Sequence, residues 1–255
     1  THRPLSFPPF RGDWHNPIRA VPYDIGGLYR SDRLLAARAG DRARALASAR
    51  RDMDINLTRN ALVLLARFLS GSSVRWIDSQ PDTCQRVYFA NHTSHLDAVV
   101  LWSALPRELR NVTRPVAAKD YWSDGWLKPH MAQSFNALLI DRKEIKVHKS
   151  PIDIMLQQMG DVYSLIVFPE GSRASGDEMG EFKSGLYYMA KKRPDLELVP
   201  VYIDNVNRIL PRGEVLPVPL LSCITVGPPI FLEAGEPKND FLSRARQSVL
   251  RLKDR

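Results

Sequence analysis

Beyond Gly71 the chain alternates short apolar runs with longer stretches in which apolar positions recur every three or four residues. The runs have the length and composition of buried strands, and the longer stretches have the period of helices packed on one face. Strands are expected at Val74–Ile77, Arg86–Ala90, Arg114–Ala118, Leu138–Ile140, Ser164–Phe168, Leu198–Ile203 and Cys223–Val226. Helices are expected near residues 97–104, 123–134, 150–159, 182–192 and 240–253, the last with Phe241, Ala245, Val249 and Leu252 on one stripe. Such alternation predicts an α/β fold with a largely parallel sheet flanked by helices over residues 71–255.

Residues 1–70 follow a different pattern. The first 29 are rich in proline, glycine and aromatics and read as an extended arm. Residues 31–51 are helical in pattern, and residues 30–51 hold seven Arg against two Asp. A second helix from about Leu57 to Leu69 places Leu57, Ala61, Leu65 and Phe68 on one stripe. The pair predicts an N-terminal helical hairpin. It either covers the core with a charged outer face or lies as a basic amphipathic layer on anionic lipid. The two uses are compatible if each face does one job.

A chain of 255 residues can bury a substantial core as one domain, and 44% hydrophobic with 25% charged residues is a globular composition. Thirty-six Lys and Arg against 28 Asp and Glu leave a formal charge of +8. Such a surplus suits nucleic acid, an anionic membrane surface or a phosphorylated substrate, and equally a solvated basic surface. Cys84 and Cys223 have neither zinc-type nor redox-type spacing and are expected to be reduced, as in cytoplasm. No apolar run approaches the ~20 residues of a membrane-spanning helix. Thr1 is not an initiator methionine, so the natural chain is expected to begin earlier.

The chemistry concentrates after the expected strands. Asn91-His92-Thr93-Ser94-His95-Leu96-Asp97 follows the run Val87–Ala90. A neutral imidazole at a strand end can take a proton from a hydroxyl, and a carboxylate behind it fixes the tautomer and stabilises the cation. No serine or cysteine nearby stands in a nucleophile setting, which points to direct attack by a substrate hydroxyl. Two other readings fit the same heptapeptide. Ser94 and Asp97 match a helix capping box, and His92, His95 and Asp97 could together hold a metal. Phe168-Pro169-Glu170-Gly171-Ser172-Arg173 closes another apolar run, and its Arg173 is suited to a phosphate or to a local pair with Glu170. Arg142 follows Leu138–Ile140, Lys119 follows Val116–Ala118, and Lys183 opens a helix. Four basic residues at or beyond strand ends would share one rim of an open sheet.

The order NHTSHLD, NALLIDR, FPEGSR and Leu198-Val199-Pro200-Val201 resembles the four-block pattern of the glycerophospholipid acyltransferase family, which includes the 1-acylglycerol-3-phosphate (lysophosphatidate) acyltransferases. The first block matches at every fixed position. Ser172 replaces a threonine in the third, and Asn136 stands where the second block has glycine. The resemblance covers about residues 86–204. It implies transfer of a fatty acyl group from acyl-CoA or acyl carrier protein to a lysophospholipid hydroxyl. In that scheme His92 is the general base, Asp97 its partner, and Arg142 and Arg173 hold the acceptor phosphate with help from Lys119 and Lys183. Glu170, Gly171 and Ser172 shape the acceptor loop, with Glu170 near a free acceptor hydroxyl. Backbone N–H groups at the helix start after Asn91 would hold the thioester oxyanion. The resemblance implies no metal or other cofactor, and amphiphilic substrates together with the basic region 30–69 lead to the expectation of a cytoplasmic enzyme peripheral to the membrane, with no nucleic-acid partner.

Overall fold

The computed structural model describes residues 54–68, 73–94, 96–125, 127–141, 150–172, 179–204 and 222–253. The N-terminal arm, the first helix of the expected hairpin, His95, Arg142, Arg173 and the expected loop over 210–219 lie outside them. Residues 51–255 form one compact unit.

Among the described residues seven strands build one sheet: β1 (Ser73–Trp76), β2 (Arg86–Ala90), β3 (Thr113–Ala118), β4 (Leu138–Ile140), β5 (Ser164–Val167), β6 (Glu197–Ile203) and β7 (Cys223–Val226). Their spatial order is β1-β7-β6-β2-β5-β3-β4, and every neighbouring pair is parallel except β6 with β7. All five residues of β2 are buried, as a central strand covered on both faces requires. Period-two alternation divides them. Tyr88 and Ala90 join a core with Trp102, Phe135 and Val201 on one face. Val87 and Phe89 join Met159, Met189, Leu198 and Phe241 on the other.

The described residues carry eight helices: α1 (54–68), α2 (Asp97–Ala104), α3 (Arg107–Asn111), α4 (Lys119–Trp122), α5 (Leu127–Ser134), α6 (Pro151–Met159), α7 (Gly185–Lys192) and α8 (Lys238–Leu250). Local chemistry sets several ends. The Ser150 hydroxyl accepts the Ile152 N–H ahead of Pro151, and Gly160 closes α6 at φ 53°. The helix expected over 123–134 is α5 alone and starts later, behind a turn in which Gly125 takes φ 71°, and the short α4 precedes that turn. α3 is one turn long, too short to carry a periodic signal.

Helix α1 packs on the core through a different face from the expected stripe. Val63 and Ala66 turn into the core, whereas Leu57, Leu64, Leu65 and Phe68 are 70, 69, 53 and 77% exposed. The stripe that should cover the core faces away from it. Polar bonds complete the inner face: Arg59 Nε donates to the Ser134 carbonyl at 3.0 Å, and Arg67 Nε to the Ser103 carbonyl at 3.1 Å.

Candidate active site

Register explains why two motifs 78 residues apart meet. Phe89 of β2 lies opposite Val167 of β5, so the segments leaving both strands emerge side by side at the same rim. β3 and β4 end at that rim too, with Ala118 opposite Ile140.

Asn91 starts the turn. Its side-chain amide donates to the Ile203 carbonyl at 2.9 Å and accepts the Ile203 N–H at 2.8 Å, standing in for one more rung between β2 and β6. The chain then turns around a fully buried carboxylate. Asp97 Oδ2 accepts the N–H of Thr93 at 2.7 Å and of Ser94 at 2.8 Å, and lies 2.9 Å from His92 Nδ1. A carboxylate only accepts, so Nδ1 carries the proton and Nε2 is left as a base. The imidazole stacks on Phe168, with centroids 4.3 Å apart and planes at 25°. Its side chain keeps 21% exposure, open enough for a substrate to reach it.

The capping-box expectation is half right. Asp97 does accept the Ser94 N–H, but the N-cap of α2 is Leu96, and the Ser94 hydroxyl accepts the Leu96 N–H at 3.3 Å. Asp97 is drawn back to His92, so its carboxylate serves the imidazole and the turn together. The metal alternative needed His95 as well. Among the described residues no three potential ligands cluster.

Glu170 takes a different place from that expected. It is 5% exposed, and both oxygens are occupied: Oε1 accepts the His92 N–H at 2.7 Å and Oε2 the Gly180 N–H at 2.9 Å. It ties backbone to backbone. The oxyanion expectation changes for a related reason, because the N–H groups of His92, Thr93 and Ser94 are all bonded to carboxylates.

Gly171 adopts φ 71°, and a Cβ there would lie 2.7 Å from Lys183 Nζ. The positive φ favours glycine, and a side chain there would also have to displace the flexible end of Lys183, which lies across the turn. Lys183 therefore joins the His92–Glu170 cluster, with its N–H donating to the Pro169 carbonyl at 2.9 Å and Phe182 edge-on to Phe89 behind it. Ser172 is exposed. Lys119 stands farther along the rim, 3.7 Å from Asp141 Oδ2. Asn91, Phe168 and Gly180 are contributors that sequence reasoning left without a role. The first two stood inside the motifs, but nothing in the chain marked Gly180.

Asn136, the departure from the second block, sits at φ 53°, where asparagine is the usual substitute for glycine. It borders a cleft of about 450 Å³ with Trp122, Pro129, Ala132, Ala137 and Leu139. Asn136→Gly should leave urea-unfolding stability nearly unchanged, whereas Asn136→Ala should lower it by ~1 kcal/mol.

Comparisons with known proteins bear on the family and the fold. The sequence model of the acyltransferase family matches residues 73–204. A probable 1-acyl-sn-glycerol-3-phosphate acyltransferase of Mycoplasma pneumoniae is 29% identical over 130 residues, 50% of this chain and 48% of the relative. Its counterpart from Mycoplasma genitalium is 32% identical over 101 residues, 40% of this chain and 37% of the relative. The chain thus spans about half or less of the length of these curated relatives. The crystal structure of the 1-acyl-sn-glycerophosphate acyltransferase PlsC from Thermotoga maritima has a similar fold, with a TM-score of 0.60 at 16% identity over 80% of this chain and 83% of that one. Because the family match takes in more than half of the sequence and contains the His92, Asp97 and Glu170 constellation, the chain belongs to the acyltransferase family.

Proposed function

We propose that the protein moves a fatty acyl group from a thioester donor, acyl-CoA or acyl carrier protein, to the free hydroxyl of 1-acylglycerol-3-phosphate, giving phosphatidate. The observation that carries this reading is the His92 Nδ1–Asp97 contact at 2.9 Å, which leaves Nε2 as a base beside the acceptor loop. Nε2 takes the hydroxyl proton as the oxygen attacks the thioester carbonyl. The tetrahedral intermediate expels the thiolate, which recovers that proton from the imidazolium. Buried Asp97 stabilises the imidazolium between the two steps. Arg142 and Arg173, with Lys183 over the Gly171 turn and Lys119 along the rim, neutralise the acceptor phosphate. The thioester is already activated, so the reading asks for no cofactor. It also asks for no nucleic acid.

The test is incubation of the purified protein with labelled acyl-CoA or acyl carrier protein and a panel of lysolipids. Label is expected on 1-acylglycerol-3-phosphate, and the rate should not change with chelator. Label only on another lysolipid, such as lyso-ornithine lipid, would keep the chemistry and change the acceptor. Chelator-sensitive hydrolysis without transfer would favour a metal-dependent hydrolase and overturn the reading.

Amphiphilic substrates require contact with a membrane, and we assign that contact in part to α1, on the cytoplasmic face of an anionic bilayer. Its outward Leu57, Leu64, Leu65 and Phe68 suit acyl chains. Beside them Arg67 Nε and Arg110 Nη1 converge on the same Ser103 carbonyl. Burial, and then the charges of Arg67, Arg59 and Arg107, push the Arg110 guanidinium below its ordinary value. Such a cluster gains from anionic headgroups. The double substitution Leu64→Asp with Phe68→Asp should weaken flotation with anionic liposomes ~10-fold or more. Charge reversal at Arg38, Arg42 and Arg44 should weaken it further, and flotation indifferent to both sets would remove the assignment.

A further inference from the structure

We propose that Arg246, on α8, is a positioning residue for the His92–Asp97 pair, acting through Gly180 and Glu170. The inference rests on the reading of His92 as the general base.

One planar guanidinium holds two successive carbonyls: Arg246 Nη2 donates to Met179 at 2.6 Å, and Nε donates to Gly180 at 3.1 Å. The N–H of Gly180 then donates to Glu170 Oε2, and Glu170 Oε1 accepts the N–H of His92. Each link is constrained by its neighbours. A Cβ on Gly180 would lie 3.1 Å from Glu170 Oε2, so a larger residue there would press the carboxylate by a few tenths of an ångström. Glu170 is nearly buried and has an N–H donor on each oxygen, so only a carboxylate satisfies both sides.

Helix α8 is a firm base for the relay. Phe241, Ala245 and Val249 are fully buried in it. Arg244 of the same helix makes two bonds to the Glu236 carboxylate, at 2.8 and 2.6 Å. Asp97 fixes the direction of the imidazole ring, while Glu170 fixes the height of the His92 backbone above the β2–β5 rim. Small displacements of a catalytic group are costly in rate even when binding is intact. Arg246 therefore sets a coordinate that Asp97 alone does not.

The test uses Arg246→Met, which keeps the stem and removes the donors, with Arg246→Lys as the milder variant should the first not fold. Gly180→Ala attacks the next link, and Gln247→Ala, on the exposed face of α8, is the control. Hydrogen exchange of the His92 amide is expected to quicken about tenfold or more in the Arg246 and Gly180 variants and not in the control. With a long-chain acyl-CoA and 1-acylglycerol-3-phosphate, kcat should fall about tenfold or more while both KM values stay within about twofold. In the His92→Ala background, Arg246→Met should lower the residual rate no further. An unchanged His92 amide, or an equal fall in both backgrounds, would overturn the proposal. Full activity of His92→Ala beside a perturbed amide would instead refute the general-base reading and leave the structural relay standing.

Discussion

His92→Ala is expected to lower turnover by ~10²–10⁴-fold with little change in KM for donor or acceptor. The side chain contributes through one nitrogen. Nδ1 is committed to Asp97 at 2.9 Å and one ring face to Phe168, so the remaining chemical capacity is the Nε2 lone pair. No other described imidazole can replace it: His130 Nε2 is 2.9 Å from the Thr58 hydroxyl in the contact between α1 and α5. The fold should tolerate the change. The His92 N–H bond to Glu170 belongs to the backbone and survives truncation, and the side chain is only partly buried. Initial rates with labelled acyl-CoA, alongside thermal unfolding to show a native variant, make the measurement. An equally active variant would end the general-base mechanism.

How much of this was legible in the sequence depended on the range of the interaction concerned. The strands were legible because a buried parallel sheet writes its residues as continuous apolar runs. β2, β4 and β7 coincide with expectation, β3, β5 and β6 differ by one residue at one end, and β1 is displaced by one residue at both. The His92–Asp97 pair was legible because both members lie in one turn. The partners of Glu170 were not. A glutamate in a loop reads as a residue that meets substrate, and only the register of β2 against β5 brings its carboxylate to the His92 N–H. Gly180 and Arg246 were still less visible, since glycine after methionine and arginine in an amphipathic helix are unremarkable locally. Helix α1 failed in another way. Periodicity located the apolar stripe at Leu57, Leu65 and Phe68 but could not say which side the body lay on. Small residues and polar stems, Val63, Ala66, Thr58 and Arg59, make the inner face instead, and such residues carry little weight in a hydrophobic pattern.

Asp97→Asn separates the two tasks of the buried carboxylate. Three donors converge on Oδ2, from Thr93, Ser94 and His92, while Oδ1 is buried without a hydrogen-bond partner among the described residues. An amide can fit only with its oxygen in the Oδ2 place, because the opposite orientation would set NH₂ against three N–H groups. The turn and the Nδ1–H tautomer should therefore persist, and Nε2 should still accept a proton. What disappears is the negative charge opposite the imidazolium. The rate is expected to fall ~10²–10³-fold, less than the ~10⁴-fold loss in a serine protease triad where the same exchange also leaves the wrong tautomer. The amide NH₂ left in the Oδ1 place has no acceptor there, which should cost about 1–3 kcal/mol of stability, offset in part by removing a buried charge. Asp97→Ala should be the less stable of the two, since it abandons both backbone donors as well as the imidazole. Rates and urea unfolding measured together on the two variants decide the matter. If Asp97→Asn retains full activity, the carboxylate serves only to build the turn, and the proton handled by His92 needs no counter-charge.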